Sequence, residues 1–102
     1  MTKIIFIGGL VAAGFDNSGD YLLTVSHAGR GVYSTTNWER VARDSELAYP
    51  ENGLAIGIGP IAGSLIRVIE VNDAGELSLT SPDGQFALMY KEGALRLSPA
   101  NV

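Results

Sequence analysis

Ser81-Pro82-Asp83-Gly84-Gln85-Phe86-Ala87-Leu88-Met89-Tyr90-Lys91-Glu92-Gly93-Ala94-Leu95-Arg96-Leu97 reads as a turn, an apolar strand, a tight glycine turn and a second strand. In its opening turn, polar turn-formers lead to a glycine, then to one polar residue, then to a large apolar one. Glycine supplies a positive φ there, and Asp or Asn can bond its own backbone. The same order occurs in Phe15-Asp16-Asn17-Ser18-Gly19-Asp20-Tyr21 and in Val71-Asn72-Asp73-Ala74-Gly75-Glu76-Leu77. Short turns of this kind join antiparallel strands. Three of them predict an antiparallel all-β protein.

The rest of the chain agrees. Thirteen glycines in 102 residues leave little room for a long helix. Between them lie short runs rich in β-branched and aromatic residues, which fit strands. Strands are expected near Ile4–Ile7, Leu10–Phe15, Tyr21–Ser26, Gly31–Ser34 and Trp38–Arg43, then near Leu54–Ile58, Leu65–Val71, Glu76–Thr80, Phe86–Tyr90 and Ala94–Leu97. Asn37 could cap a helix over Asn37–Leu47, but Arg40 stands where a capping box wants Glu or Gln.

Composition sets the outer limits. A chain of 102 residues forms one domain, 1–102, with a glycine-rich insertion near 45–64. Hydrophobic residues at 46% and charged residues at 18% describe a chain that folds. Cysteine is absent, so disulfides and zinc–thiolate sites are excluded. A net charge of −4 disfavours a nucleic-acid backbone as partner. The run Ile4-Ile5-Phe6-Ile7 is broken at Gly8-Gly9, too early for a signal peptide and far too short for a membrane helix. A cytoplasmic protein with no membrane partner is the expectation.

Two long stretches, 16–33 and 81–97, share the full pattern of turn, strand, glycine turn and strand. This pattern resembles the inner part of a β-propeller blade of the WD-repeat type, and Ser81-Pro82-Asp83-Gly84 matches it most closely. Trp38 is followed by Glu39 rather than Asp, and His27 follows Ser26 rather than Gly. Gly19 and Gly84 are 65 residues apart, which leaves room for two blade-like sheets and an insertion but not for a whole propeller. The resemblance implies two antiparallel sheets. One takes Leu10–Phe15, Tyr21–Ser26, Gly31–Ser34 and Trp38–Arg43; the other takes Leu65–Val71, Glu76–Thr80, Phe86–Tyr90 and Ala94–Leu97. Ile4–Ile7 would close an edge of the second, as propellers close with strands from both chain ends. Packed face to face, the sheets form a sandwich or flattened barrel. A closed monomeric core is preferred to an open pair of sheets completed by self-association.

Catalytic signals are sparse. His27 is the single histidine, so no one chain can supply a site with several imidazoles. Ser26 and His27 are adjacent, which in a strand sends them to opposite faces. Gly57-Ile58-Gly59-Pro60-Ile61-Ala62-Gly63 lacks the lysine of a phosphate loop, and no helix pattern follows it. Asp16 and Asp20 lack the remaining oxygen ligands of a calcium loop. Glu70 falls on a largely apolar strand face, as a strand-end residue or a functional carboxylate. Glu39-Arg40-Val41-Ala42-Arg43-Asp44 suggests surface ion pairs. No cofactor or metal site is expected.

Arg30, Tyr33, Trp38 and Tyr49 are residue types enriched at binding hot spots, and they are the candidate partner-binding residues. The leading expectation is a non-enzymatic protein-binding module, such as a small inhibitor or immunity-type protein that blocks a basic partner. The alternatives are an oligomer-forming subunit of a larger β assembly, and a small hydrolase or ligand-binding enzyme using Glu70 or His27.

Overall fold

The computed structural model describes residues 3–99. Its strands are β1 (Lys3–Phe6), β2 (Leu10–Phe15), β3 (Tyr21–Ser26), β4 (Gly29–Ser34), β5 (Arg40–Asp44), β6 (Leu54–Ile56), β7 (Leu65–Arg67), β8 (Ile69–Glu70), β9 (Leu77–Thr80), β10 (Phe86–Lys91) and β11 (Ala94–Pro99). One 3-10 turn, Gly59–Ile61, interrupts them, and no α-helix occurs among the described residues. The fold is all-β. A four-stranded sheet runs β1-β11-β10-β9, and a five-stranded sheet runs β5-β4-β3-β2-β8; β6 and β7 form a separate pair. All pairings are antiparallel.

The repeated turn takes the same form at Asp16 and Ser81 and closes one residue sooner at Asn72. Gly19, Gly75 and Gly84 take φ of 79°, 77° and 74°. Each donates its N–H to the carbonyl three residues back, on Asp16, Asn72 and Ser81 respectively. The side chains of those same residues accept the N–H groups of Tyr21, Glu76 and Phe86 at 3.0 Å. Two copies join ladder partners, β2 to β3 and β9 to β10. The copy at 72–76 instead connects β8 to β9, which lie in different sheets.

Alternation along the strands builds two cores. Leu10, Ala13, Phe15, Leu22 and Tyr33 meet Leu77, Leu88, Tyr90, Leu95 and Leu97 between the two main sheets. On the far face of the five-stranded sheet, Ala12, Leu23, Val25 and Val32 meet Ala55, Ile61, Ile66 and Val68. That sheet is therefore covered on both faces, and β3 reads as one continuous buried run after Tyr21. The stretch 45–64 contributes β6 and the 3-10 turn to this outer layer. Ala55 and Ile61 from this stretch belong to the outer core, whereas Ile56 stays exposed.

β1 pairs with β11 from Lys3↔Leu97 to Phe6↔Ala94, closing the edge of the C-terminal sheet. Leu65–Val71 differs from expectation: it is not one strand of that sheet. The chain breaks at Val68, whose N–H goes to the Gly53 carbonyl (2.9 Å) while its side chain enters the outer core. Upstream, β7 pairs with β6; downstream, Ile69 and Glu70 pair with Ala13 and Ala12 on the edge of the other sheet. A residue directed into a second core cannot also continue a regular ladder. Asn37–Leu47 contains no helix; Arg40–Asp44 is a strand.

Candidate functional site

The two main sheets do not cover each other completely. The four-stranded sheet ends at β1, and the inner face of β3, β4 and β5 continues beyond it. Thr24 and Ser26 on β3, Gly31 and Tyr33 on β4, and Arg40 and Arg43 on β5 line the resulting mouth. Phe6, Ile7 and Gly8 form the opposite lip. The cavity holds about 240 Å³.

A backbone irregularity turns both arginines inward. Residues 40 and 43 are three apart, and in a regular strand they would face opposite sides. The β4–β5 ladder pairs Gly31 with Arg43 and Val32 with Ala42, then skips Val41 to pair Tyr33 with Arg40. This bulge places Arg40 beside Tyr33 and Arg43 beside Gly31 on the inner face, while Ala42 packs into the outer core. Gly31 makes room for them: a Cβ there would stand 3.2 Å from Thr24 Oγ1 and 3.6 Å from both Arg40 Cδ and Tyr33 Cε1.

The mouth is cationic although the chain is acidic. Neither arginine pairs with a carboxylate among the described residues, and no Asp or Glu lines the cavity. The Thr24 hydroxyl donates to the Gly31 carbonyl (3.3 Å), and that of Ser26 to the Gly29 carbonyl (3.2 Å). These protons are thus committed to backbone acceptors. The guanidinium groups supply the free charged donors of the mouth.

The four residues singled out in the sequence fall in different surroundings. Tyr33 stands on the mouth's floor and also packs in the inter-sheet core. Arg30 borders the same cavity but is only 8% exposed. It donates to the Ile56 carbonyl (2.9 Å) and to Asp44 (3.4 Å), tying the outer layer to the sheet. Trp38 is half-buried, edge-on to Phe86 with ring centres 5.3 Å apart, and does not line the mouth. Tyr49 does not line it either; its hydroxyl lies 3.1 Å from His27 Nδ1, which ties His27 to a side chain 22 residues away. Glu70 is exposed at the end of the two-residue β8, opposite Ala12.

Sequence reading missed Arg40 and Arg43 as site residues, because Glu39–Asp44 reads as a run of surface ion pairs; among the described residues neither arginine forms one. Asp44, expected to pair within its own segment, instead pairs across to Arg30. Asp83, outside the mouth in the β9–β10 turn, has its pKa lowered by the Ser81 hydroxyl (2.6 Å) and then by the Gln85 N–H (3.0 Å). Among the described residues no group of three or more His, Asp or Glu could hold a metal, and no helix is long and apolar enough to cross a membrane.

Comparison with protein-family models, curated proteins and solved structures finds no match for this chain.

Proposed function

We propose that this protein is a non-enzymatic binding module that holds a protein partner at the mouth between β1 and β5. The observation that carries this reading is the pair Arg40 and Arg43, turned by one bulge onto the same uncovered shelf with no carboxylate beside them. Arginine and tyrosine are enriched among the residues that dominate binding energies. A cavity of about 240 Å³ is small for a drug-sized ligand, whose pockets hold about 300–1,000 Å³, and suits one or two side chains of a larger partner. The net charge of −4 would steer a basic partner by long-range attraction, while Arg40 and Arg43 favour acidic side chains at the contact itself. A small cytoplasmic inhibitor or immunity-type protein is one concrete version. The antiparallel runs β2-β3-β4-β5 and β9-β10-β11 are what support the reading of the sheets as propeller-blade-like.

The test is a pull-down from native-source lysate at low and high salt, with wild type and an Arg40→Ala/Arg43→Ala variant. A single partner in fixed ratio, released by salt and lost in the variant, is the expected result. Equal capture by the variant would overturn the assignment of the mouth.

A second reading, an oligomer-forming subunit, draws on the outer face of the four-stranded sheet. Phe6 is 81% exposed there, beside Ile4 and Met89. Arg96, paired between Ile4 and Met89, occupies the middle of this face. Two copies meeting there symmetrically would bring like charges together, which disfavours that arrangement. A mass well above 10.7 kDa in light scattering, rising with concentration, would favour this reading over the first.

A further inference from the structure

We infer that the partner binds by strand addition: an extended segment with acidic residues at alternate positions pairs with the free edge of β1 and points its carboxylates at Arg40 and Arg43. This rests on the mouth being the binding site and adds the mode of binding and the chemistry of the bound segment.

The backbone of β1 carries the first part of the argument. The Ile7 N–H donates to the Gly93 carbonyl (3.0 Å), in line with the register that pairs Ile5 with Leu95 and Lys3 with Leu97. Backbone polar groups alternate in direction along a strand. Residues 3, 5 and 7 therefore face β11, and the N–H and C=O groups of Ile4 and Phe6 face the open edge. An open row of this kind is a template for another strand.

The other edges are less available. β5 is bulged and carries two arginines, both devices that deter pairing. β8 has two residues, and β9 lies against β8 where the sandwich is closed. β1 has only Lys3 as a guard, with no proline and no bulge.

The shelf supplies the second part. A strand added beyond β1 would extend the four-stranded sheet over the uncovered inner face of β4 and β5. Its residues in register with Ile5 share that residue's inward face. They would stand over Arg40 and Arg43, across the roughly 10 Å that separates packed sheets. The two arginines lie beside Tyr33 and Gly31, two residues apart on β4 and so about 7 Å apart along it. Successive inward side chains of an added strand repeat at that same interval. The intervening residues would lie beside Ile4 and Phe6 on the outer face, where apolar side chains fit. The predicted pattern is apolar-acidic-apolar-acidic-apolar.

The probe is the peptide acetyl-Thr-Val-Glu-Val-Glu-Val-Thr-amide, with its Gln-for-Glu counterpart as control. Affinity is measured by isothermal titration calorimetry, and the binding edge by hydrogen exchange of backbone amides. The Glu peptide is expected to bind about tenfold or more tightly than the Gln peptide, since charge-assisted hydrogen bonds contribute more than neutral ones. It should slow exchange at Ile4 and Phe6, and Arg40→Ala/Arg43→Ala should reduce its affinity to that of the Gln peptide. Ile4→Pro removes an outward N–H without touching the ladder to β11, so it should abolish binding while leaving the circular dichroism spectrum unchanged. Absence of saturable binding at millimolar peptide would overturn strand addition. So would equal affinity for the two peptides, or binding that leaves the Ile4 and Phe6 amides unprotected in the wild type. If the native partner still requires Arg40 and Arg43 in the pull-down while these results fail, the mouth stands and strand addition falls. If neither the partner nor the peptide responds to the arginines, both fall.

Discussion

Gly14→Ala tests how the outer layer is seated. Gly14 lies on β2 with its missing side chain aimed at the break between β7 and β8. A Cβ there would overlap the carbonyl oxygen of Arg67 and stand 3.0 Å from both the Arg67 carbonyl carbon and Val68 Cα. These are backbone atoms, so no rotamer change relieves the overlap. Overpacking of this kind costs about 1–3 kcal/mol when the structure yields in place. The alternative is for the 65–70 segment to lift, exposing Val68 and Ile66, each now 4% exposed, and forfeiting part of the roughly 1.5–3 kcal/mol that each buried side chain contributes. Because the clash is with backbone, the first route falls at the upper end of its range, and the destabilisation is about 2–4 kcal/mol, or a fall in Tm of roughly 10–25 °C for a domain of this size. The control is Gly75→Ala. Gly75, unlike Gly14, stands in positive φ (77°), and nothing lies within 4 Å of its Cβ position, so only the backbone penalty of about 1–2 kcal/mol applies. Urea unfolding followed by far-ultraviolet circular dichroism measures both. Lifting of the segment would also lower the m-value, because the native state then already exposes part of the outer core. A Gly14→Ala variant no less stable than Gly75→Ala would refute the close seating of this segment on the sheet.

Further outcomes follow from side chains already placed. Arg30→Ala strands the Ile56 carbonyl and should destabilise by about 1–3 kcal/mol in urea titration, whereas Arg30→Met, which keeps the aliphatic stem, should cost less. Glu92 sits at φ 53° before Gly93 in the β10–β11 turn, where Asn-Gly is the favoured pair; Glu92→Asn should raise stability by about 0.5–1 kcal/mol in the same assay. The Asp83 pKa is lowered by folding, so its contribution is present above the unfolded pKa and is lost as pH falls through the folded one. Asp83→Asn should therefore flatten the decline in urea midpoint as pH falls through and below the ordinary carboxylate range; an unchanged acid limb would count against the Ser81–Asp83 hydrogen bond.

Much of the architecture was legible because local chemistry and tertiary structure agree along most of the chain. The Asp16, Asn72 and Ser81 turns carry their geometry in their own side chains, so strand boundaries on either side could be read from them. The edge position of β1 followed from counting strands. The split at Val68 was not legible: Leu65–Val71 is uniformly strand-like, and only a second core beneath it makes Val68 leave the ladder. Asn52-Gly53 forms a hairpin turn within the stretch read as an insertion; both residues adopt positive φ, and Glu51 pairs with Leu54. At the site the limit was different. The inward turn of Arg40 and Arg43 depends on one skipped residue, Val41, and nothing in Glu39–Asp44 marks where a ladder slips. Arg30 drew attention by residue type, but its environment was fixed by Ile56 and Asp44, 26 and 14 residues away.

The polar floor of the mouth bears on whether the shelf is a flaw in packing or a site. Thr24 and Ser26 lie on the same face of β3 as Leu22, which is fully buried in the inter-sheet core. Both residues are buried, 4% and 9% exposed, and the hydroxyl of each spends its proton on a carbonyl across the β3–β4 ladder. Valine and alanine there would have needed no such partners. On the opposite face of the same strand, Leu23 and Val25 show that the chain uses apolar residues where a layer covers it. The change from apolar to polar along one face of β3 coincides with the point where β1 ends the opposing sheet. A shelf that is only an accident of a short sheet would carry no matched charge. This one has two arginines brought to one side by a bulge, a glycine between them and the floor, and an edge strand with free backbone groups at its rim. Each feature has other uses in β proteins; their convergence on one 240 Å³ mouth is what favours a strand-shaped, acidic occupant.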